Sequence, residues 1–295
     1  MDYDFQYSNQ IALPWVIKNM KPYLFPDLSK KKSRFKKQLC GVIASENKQP
    51  VGLILSSFGK TKSEARIHSF VVHPDHRERG VGKRMLQELE ENLSREGCRQ
   101  LDGTYRDHWK STAALKSILT HNGWTQPTKD LIIVRGKTKK VLRLFTNDRL
   151  TLPDSYQLIP FTEISLAQKD LILAKKKTSE WYPDILNPFT YSDTINSVTS
   201  LALIHENEVK GWVISHLIAP DLNEFTSLFI DPELRSYKLA HLMMRETIYR
   251  VFRDGVENFL ITSKTDNYVM SRFLIRHAPS TGVFITTTYY TAKQL

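Results

Sequence analysis

The stretch Glu46-Asn47-Lys48-Gln49-Pro50-Val51-Gly52-Leu53-Ile54-Leu55-Ser56 returns later in the chain as Glu206-Asn207-Glu208-Val209-Lys210-Gly211-Trp212-Val213-Ile214-Ser215. Phe70-Val71-Val72-His73-Pro74 returns as Leu228-Phe229-Ile230-Asp231-Pro232. Landmarks that recur in one order at nearly one offset mean an internal duplication, so the chain has to build one architecture twice. Its 295 residues agree, because a domain of ordinary size takes roughly 100 to 200 and each half can bury a core of its own. The hydrophobic pattern breaks at Lys137-Thr138-Lys139-Lys140 and again at Asn147-Asp148-Arg149. That puts the join between residues 137 and 153 and predicts domains 1–145 and 146–295, with a short strand, Val141 to Phe145, inside the join.

In the first copy an apolar strand, Ala65 to Val72, runs through His73-Pro74-Asp75-His76 into Arg77-Glu78-Arg79-Gly80-Val81-Gly82-Lys83. Beyond it Met85, Leu86, Leu89 and Leu93 fall at helical spacing, and Gly97 stops the helix. Glycines let a backbone come close to an anion, and the first turn of a helix points unpaired N–H groups at it. The turn therefore suits a diphosphate, although a glycine-rich turn can also serve only to reverse the chain. A dinucleotide fingerprint would need Gly-x-Gly-x-x-Gly and an acidic residue about 20 positions on, and neither pattern occurs. Pro50 to Ser56 and Gln100 to Tyr105 read as further strands, and Thr112 to Thr120 as a helix closed by Asn122-Gly123-Trp124.

This order of elements, with the Arg-x-x-Gly-x-Gly spacing, resembles the GNAT superfamily, acyltransferases that move an acyl group from coenzyme A to an amine. The resemblance covers most of the chain and implies an α/β fold: two tandem GNAT-like domains, each a mixed central sheet flanked by helices. It implies that the backbone N–H groups of Arg79, Gly80, Val81, Gly82 and Lys83, with the side chains of Arg77 and Arg79, hold the diphosphate of acetyl-CoA or a longer acyl-CoA. The backbone of Phe70, Val71 and Val72 would pair with the pantetheine arm, one N–H polarising the thioester carbonyl. Thr112, and Asn267 in the second copy, would contact the cofactor at the start of the next helix. In the second copy Arg235-Ser236-Tyr237-Lys238-Leu239-Ala240 stands opposite the turn. Lys238 replaces its first glycine, so weak or absent cofactor binding is expected there.

An amine attacks a thioester only when unprotonated, and an exposed alkylamine with pKa near 10.4 is almost wholly charged at neutral pH. A base is needed. The family often supplies a glutamate on the strand before the turn, but aligned on Pro74 that position is Arg66, which cannot serve. His68, two residues on, falls on the same face of a strand, and an ordinary imidazole pKa near 6.5 suits it to the task. His68 is the candidate base, with Glu64 and Tyr105 as substitutes, although a histidine on a sheet is as often simply hydrogen-bonded within the fold. The second copy places Glu224 at the glutamate position. Retained activity there, an acceptor pocket between the domains, or a solvated strand end would each account for it. Where the family often has a tyrosine to protonate the leaving thiolate, this chain has Leu119 and Leu274. A thiol with pKa about 8.5 is a fair leaving group without that help.

The chain carries 42 Lys and Arg against 31 Asp and Glu, a formal +11. An anionic partner is favoured: coenzyme A, an acidic acyl-carrier protein, nucleic acid or a membrane surface. The basic runs at residues 30–37, 137–140 and 175–177 are most simply solvated helix faces. No zinc-finger or RNP-like pattern supports nucleic acid, which stays a runner-up. Cys40 and Cys98 have no paired spacing, so no disulfide framework or metal site is expected. The N-terminus lacks a signal-peptide pattern and no stretch reaches transmembrane length, so a cytoplasmic protein is expected. Together these features favour an acyl-CoA-dependent N-acyltransferase, acetyl by default, acting on a primary amine of a small molecule or peptide. Trp15, Phe25, Trp109, Trp181, Tyr182 and Phe189 could line a larger acyl pocket, or be ordinary core. The rival readings are a GNAT-fold protein that binds acyl-CoA without turnover, and a peptide-lipidating enzyme fed by a carrier protein. The acceptor's identity and the oligomeric state are not encoded in any motif.

Overall fold

The computed structural model describes residues 2–25, 28, 38–143, 150–190, 192–279 and 282–295, so the basic run at 30–37 lies outside the described residues. The chain divides into two compact units: Met1–Asp130 together with Thr288–Leu295, and Leu131–Thr287. This differs from a join near residue 145. The expected boundary took each half of the sequence as a domain, whereas the last strand of the chain is built into the first unit.

Unit 1 begins with β1 (Tyr3–Ile11), α1 (Leu13–Asn19), β2 (Leu39–Glu46), β3 (Gln49–Phe58) and β4 (Glu64–Val72). It continues with α2 (Val81–Arg95), β5 (Gln100–Arg106) and α3 (Thr112–His121). Unit 2 is built on β6 (Thr128–Lys137), α4 (Thr138–Leu142), β7 (Tyr156–Pro160), α5 (Leu166–Ser179), β8 (Leu201–His205) and β9 (Glu208–Ala219). After these come β10 (Leu222–Ile230), α6 (Leu239–Arg253), β11 (Asn258–Lys264) and α7 (Tyr268–His277). The final strand, β12 (Phe284–Gln294), carries the chain from unit 2 back to unit 1, as β6 carries it out.

Each unit has a mixed sheet of one plan. In unit 1 the order is β1-β2-β3-β4-β5-β12, antiparallel except for β4 beside β5. In unit 2 it is β7-β8-β9-β10-β11-β6, antiparallel except for β10 beside β11. The duplication read from the sequence is thus a duplication of topology. It extends to the hairpins: Asn47 and Lys48 have φ of 50° and 64°, as do Glu206 and Asn207. Two consecutive left-handed residues make the type I′ turn whose twist suits a two-residue hairpin.

Apolar residues line both faces of each sheet. On one face of unit 1, α2 buries Val81, Met85, Leu86, Leu89 and Leu93 against Val42, Ile54 and Leu101, the stripe that the helical spacing predicts. On the other, Leu13 and Val16 of α1, with Met20 just after it, pack with Leu53 and Leu55. In unit 2, α6 packs Met243, Ile248 and Val251 with Val213 and Phe259. The opposite face holds an aromatic group of Tyr182, Trp212 and Phe229. Residues 138–142 form a helix, so Val141 and Leu142 are not the start of the expected strand, whose residues 144 and 145 lie outside the described residues: Thr138 and Val141, three apart, both turn inward, and the Thr138 hydroxyl donates to the Val256 carbonyl at 2.7 Å. Both cysteines are buried and free, and burial pushes the Cys40 thiol up to about 11. The basic runs inside the described residues are tied locally: Lys137 to Glu257, Lys175 to Glu208, Lys176 to Asp184. Among the described residues no helix is long and apolar enough to cross a membrane, and no group of His, Cys, Asp or Glu is arranged to hold a metal ion.

The exchanged strand matters to unit 1 because β12 is the antiparallel partner of β5 from Thr288↔Arg106 to Gln294↔Gln100. It also supplies Lys293, whose ammonium lies 2.5 Å from the buried Glu90 carboxylate, which in turn accepts from the Trp124 indole at 2.7 Å. Truncation after Thr287 should therefore unfold unit 1 and spare unit 2. Lys293→Met alone should cost unit 1 up to about 3 kcal/mol by leaving a buried carboxylate without its cation. Calorimetry resolving two transitions, with limited proteolysis to assign them, checks both. A truncated chain with both transitions unchanged would refute the assignment of the last strand.

Candidate functional site

At the end of β4 the chain turns sharply before α2. His73 donates its N–H to the Val51 carbonyl at 2.8 Å, and its ring Nδ1 accepts from the Asp75 N–H at 3.4 Å. Arg77 then folds back, its Nε donating to the Val72 carbonyl at 3.0 Å. That bond ties the turn to the strand, a fixing role for a side chain expected only to meet the anion. Gly80 follows as the N-cap of α2 with φ 79° and ψ −7°, the left-handed region where a side chain is strained. The first bond of the helical ladder runs from Arg84 N–H to the Gly80 carbonyl at 3.0 Å. The N–H groups of Val81, Gly82 and Lys83 therefore precede the ladder and lie at the positive end of a 15-residue helix. Residues 77–80 and Lys83 are exposed, so the donors face open space. A Cβ built on Gly80 meets nothing within 4 Å. Gly82 differs: a Cβ there would make ordinary van der Waals contact with Ile118, Phe70 and Val72 at 3.4–3.6 Å.

β4 itself is open beside the turn. Its parallel pairing with β5 runs from Glu64↔Gln100 only to Ile67↔Gly103, although both strands continue. On the other edge, pairing with β3 passes from Ser56↔Ile67 to Leu55↔Ser69 and skips His68. An extra residue in one strand is a β-bulge, which bends the strand and increases its twist. From His68 onward β4 leaves β5, and every second backbone N–H and C=O of Phe70, Val71 and Val72 points to the side that β5 has vacated. The same event occurs in unit 2. β10 pairs with β11 only from Leu222↔Asn258 to Phe225↔Ile261, and its ladder with β9 skips Thr226.

Around the unit 1 fork the structure gathers four polar side chains from neighbouring strands. The His68 Nε2 lies 2.8 Å from the Ser57 hydroxyl, and His68 is half-buried. Arg66 is paired through Nε with Asp102, its registered neighbour on β5, at 2.5 Å. This bond holds the guanidinium charged, pushing it above its ordinary value. The position where the family often carries a glutamate thus holds a neutralised ion pair. Of the substitute bases, Tyr105 is buried with its hydroxyl unpartnered among the described residues. Burial, then the neighbouring Tyr289, raises its pKa, which makes a phenolate less accessible. Glu64 stands at the far end of β4, opposite Gln100 and away from the fork. Thr112 donates its hydroxyl to the Arg106 carbonyl at 2.8 Å, closing the loop after β5. Asn267 caps α7 by accepting from the Met270 N–H at 3.2 Å. Leu119 and Leu274 are buried core, consistent with positions that have no acid to offer.

In unit 2, Glu224 is half-buried on β10 in register with His216 of β9. His216 was not singled out from the sequence. It is 3 % exposed, its Nδ1 3.0 Å from the Thr194 carbonyl and its Nε2 3.1 Å from the Thr226 hydroxyl. Its position opposite Ser57 on the duplicated strand was the only signal that could have found it. Lys238 occupies the Gly80 position with φ 54° and ψ 17°, so the second copy keeps the left-handed backbone without glycine. Among the aromatic residues, Trp181, Tyr182 and Phe189 belong to the unit 2 core. Phe25 and Trp109 meet at 4.8 Å between ring centres in unit 1. Trp15 is half exposed.

Because a lysine in the left-handed region costs about 1 kcal/mol relative to glycine, Lys238→Gly should stabilise unit 2 by about that amount. Gly80→Lys has room for its side chain and should fold, destabilising unit 1 by a similar margin. Thermal unfolding of the two variants checks the pair, and equal stabilities of all three chains would show that neither turn stores strain.

By sequence, residues 11–113 match the Acetyltransferase (GNAT) family. No curated protein matches the chain by sequence. By structure, the chain is similar over 99 % of its length to a tandem GNAT protein from the clavulanic acid biosynthesis pathway, covering 98 % of that chain at 13 % identity and a TM-score of 0.63. It is also similar over 98 % of its length to a GCN5-related N-acetyltransferase from Sphaerobacter thermophilus, covering 95 % of that chain at 12 % identity and a TM-score of 0.64. Identities this low speak for the fold, and both matches run through the two units. Residues 11–113, within unit 1, thus carry the sequence pattern of the Acetyltransferase (GNAT) family, and the chain as a whole has the fold of the tandem GNAT protein it is similar to.

Proposed function

We propose that the protein is an acyl-CoA-dependent N-acyltransferase whose acyl donor binds in unit 1. One observation supports this most directly: an exposed helix N-terminus with a glycine cap stands at the end of a strand whose outer edge is unpaired from residue 68 onward. The first offers N–H donors and a positive field to a diphosphate. The second offers backbone groups to an extended, amide-bearing arm. The residues fit such a donor, because the Gly80 cradle has open space where a side chain would stand.

In this reading the N–H groups of Arg79 to Lys83 bind the diphosphate, with the Arg79 side chain and the remaining N–H groups of Arg77 beside it. The backbone of Phe70, Val71 and Val72 aligns the arm, and an N–H freed at the bulge donates to the thioester oxygen as charge develops there. The donor supplies an activated carbonyl; the acceptor amine forms the C–N bond as the C–S bond breaks. His68 takes the amine proton, directly or through water. Acetyl is the default group, and longer chains or an acidic carrier protein as donor are compatible with the basic surface. The acceptor is a primary amine of a small molecule or peptide, with Glu224 as a further candidate for handling it.

A second reading is favoured by one observation. The base position holds Arg66 bound to Asp102, which fits a protein that binds acyl-CoA without turning it over. Thiol release from acetyl-, octanoyl- and palmitoyl-CoA with a panel of amines separates the two readings. Turnover with any pair supports the enzyme, whereas micromolar binding with no turnover would defeat it. Gly80→Lys should abolish CoA binding by placing a side chain in the diphosphate's space, and retained affinity would move the site elsewhere. His68→Ala should lower kcat about a hundredfold, and an unchanged rate would remove it as base.

A further inference from the structure

The two bulges are pinned by one and the same bond with its ends exchanged. In unit 1 the residue skipped by the ladder, His68, reaches back across the bulge to Ser57, which is registered opposite Arg66. In unit 2 the skipped residue, Thr226, reaches back to His216, which is registered opposite Glu224. Both bonds join a side-chain hydroxyl to imidazole Nε2, at 2.8 Å and 3.1 Å. Both run from the extra residue to the position opposite the residue two before it. The imidazole is on β4 in one unit and on β9 in the other. Since Arg66 aligns with Glu224 and Gly80 with Lys238, most chemistry around the fork has diverged while this bond has been kept.

We infer that the hydroxyl–imidazole pair is a latch that holds each bulge at its register and so keeps the neighbouring strands apart. The pairs Ser57–His68 and Thr226–His216 are positioning residues for the fork. A bulge that moved one position along would re-register the ladder there and turn a side chain to the other face, so the fork keeps its shape only if the extra residue stays where it is. A side-chain bond from the extra residue to a fixed point on the adjacent strand keeps it there. In unit 2 the fixed point is held further: the His216 Nδ1 lies 3.0 Å from the Thr194 carbonyl and 3.1 Å from the Thr194 hydroxyl, and the Thr226 hydroxyl, 3.1 Å from Nε2, also reaches the Ile214 carbonyl at 3.4 Å. In unit 1 the hydroxyl end is the fixed one, as Ser57 is 1 % exposed on β3. The latch requires only that one strand carries the ring and the other the hydroxyl, which explains why the ends could exchange.

The test uses the full chain with Ser57→Ala, and with the exchange Ser57→His combined with His68→Thr, which copies unit 2 into unit 1. Amide hydrogen exchange in the free protein is the first readout. Ser57→Ala should speed exchange across residues 67–72 several-fold with little change elsewhere, and the exchanged pair should restore protection. Thr226→Val, nearly isosteric, should do the same to residues 225–230 of unit 2, and it serves if Ser57→Ala fails to fold. The second readout, CoA affinity, rests on the functional reading above. Ser57→Ala should weaken it about fivefold to tenfold, and the exchanged pair should recover it although the imidazole has left β4. Wild-type exchange rates in both Ser57→Ala and Thr226→Val would overturn the latch, as would a well-folded exchanged pair that stays unprotected. If the wild-type chain does not bind CoA while the exchange pattern responds as described, the latch stands and the donor site is what falls.

Discussion

A single extra residue in the strand before the turn governs what each unit can offer a ligand. At His68, and again at Thr226, the ladder with the preceding strand slips by one, and the parallel pairing on the other edge stops. Backbone groups that would have closed a sheet are left facing a fork. A buried strand normally pairs both edges, so an unpaired edge in the middle of a sheet persists only where something holds the strand away. In unit 1 that fork leads directly into the Gly80 turn, so the open edge and the helix N-terminus form one continuous line of donors and acceptors.

The second constraint is the exchange of the last strands. β5 has β12 for its neighbour, and β11 has β6. Each unit thereby completes its sheet with a strand from the other half of the sequence. The exchange is stabilised in unit 1 by more than the ladder. Glu90, buried on α2, receives both the Lys293 ammonium and the Trp124 indole, which satisfies a carboxylate that would otherwise be costly inside the core. Tyr289 stacks on Tyr105 at 5.6 Å between ring centres. Unit 1 is therefore built from two separate stretches of the chain, with unit 2 as the contiguous segment between them.

Within the shared backbone the two forks carry opposite chemistry. Unit 1 has an arginine neutralised by Asp102 where unit 2 has Glu224 beside a buried histidine. Unit 1 keeps the glycine at the helix cap, while unit 2 spends some stability to hold Lys238 in the same conformation. Backbone geometry has been preserved where side chains have not. The glycine-capped helix N-terminus therefore sits in unit 1, and the acidic fork in unit 2.

Much of this was legible in the sequence, because the signals are local. The α2 stripe, the strand into the turn, the Gly80 cap and the duplicated hairpins depend on periodicity and on backbone freedom over a few residues, and each stands where the spacing places it. Of the expected strand at 141–145, Val141 and Leu142 instead close a helix on which Thr138 and Val141, three apart, both turn inward, and residues 144 and 145 lie outside the described residues. The roles of Arg77 and Thr112 were only half visible: their bonds to the Val72 and Arg106 carbonyls depend on how the loops fold back. What the sequence by itself determined was a doubled α/β architecture with one intact glycine turn. Only the tertiary structure decided which strand completes which sheet, and which residues meet at the fork. Strand partners, bulge positions and bonds such as Ser57–His68 and His216–Thr226 are contacts between distant segments, chosen by packing and register, and local pattern carries no record of them.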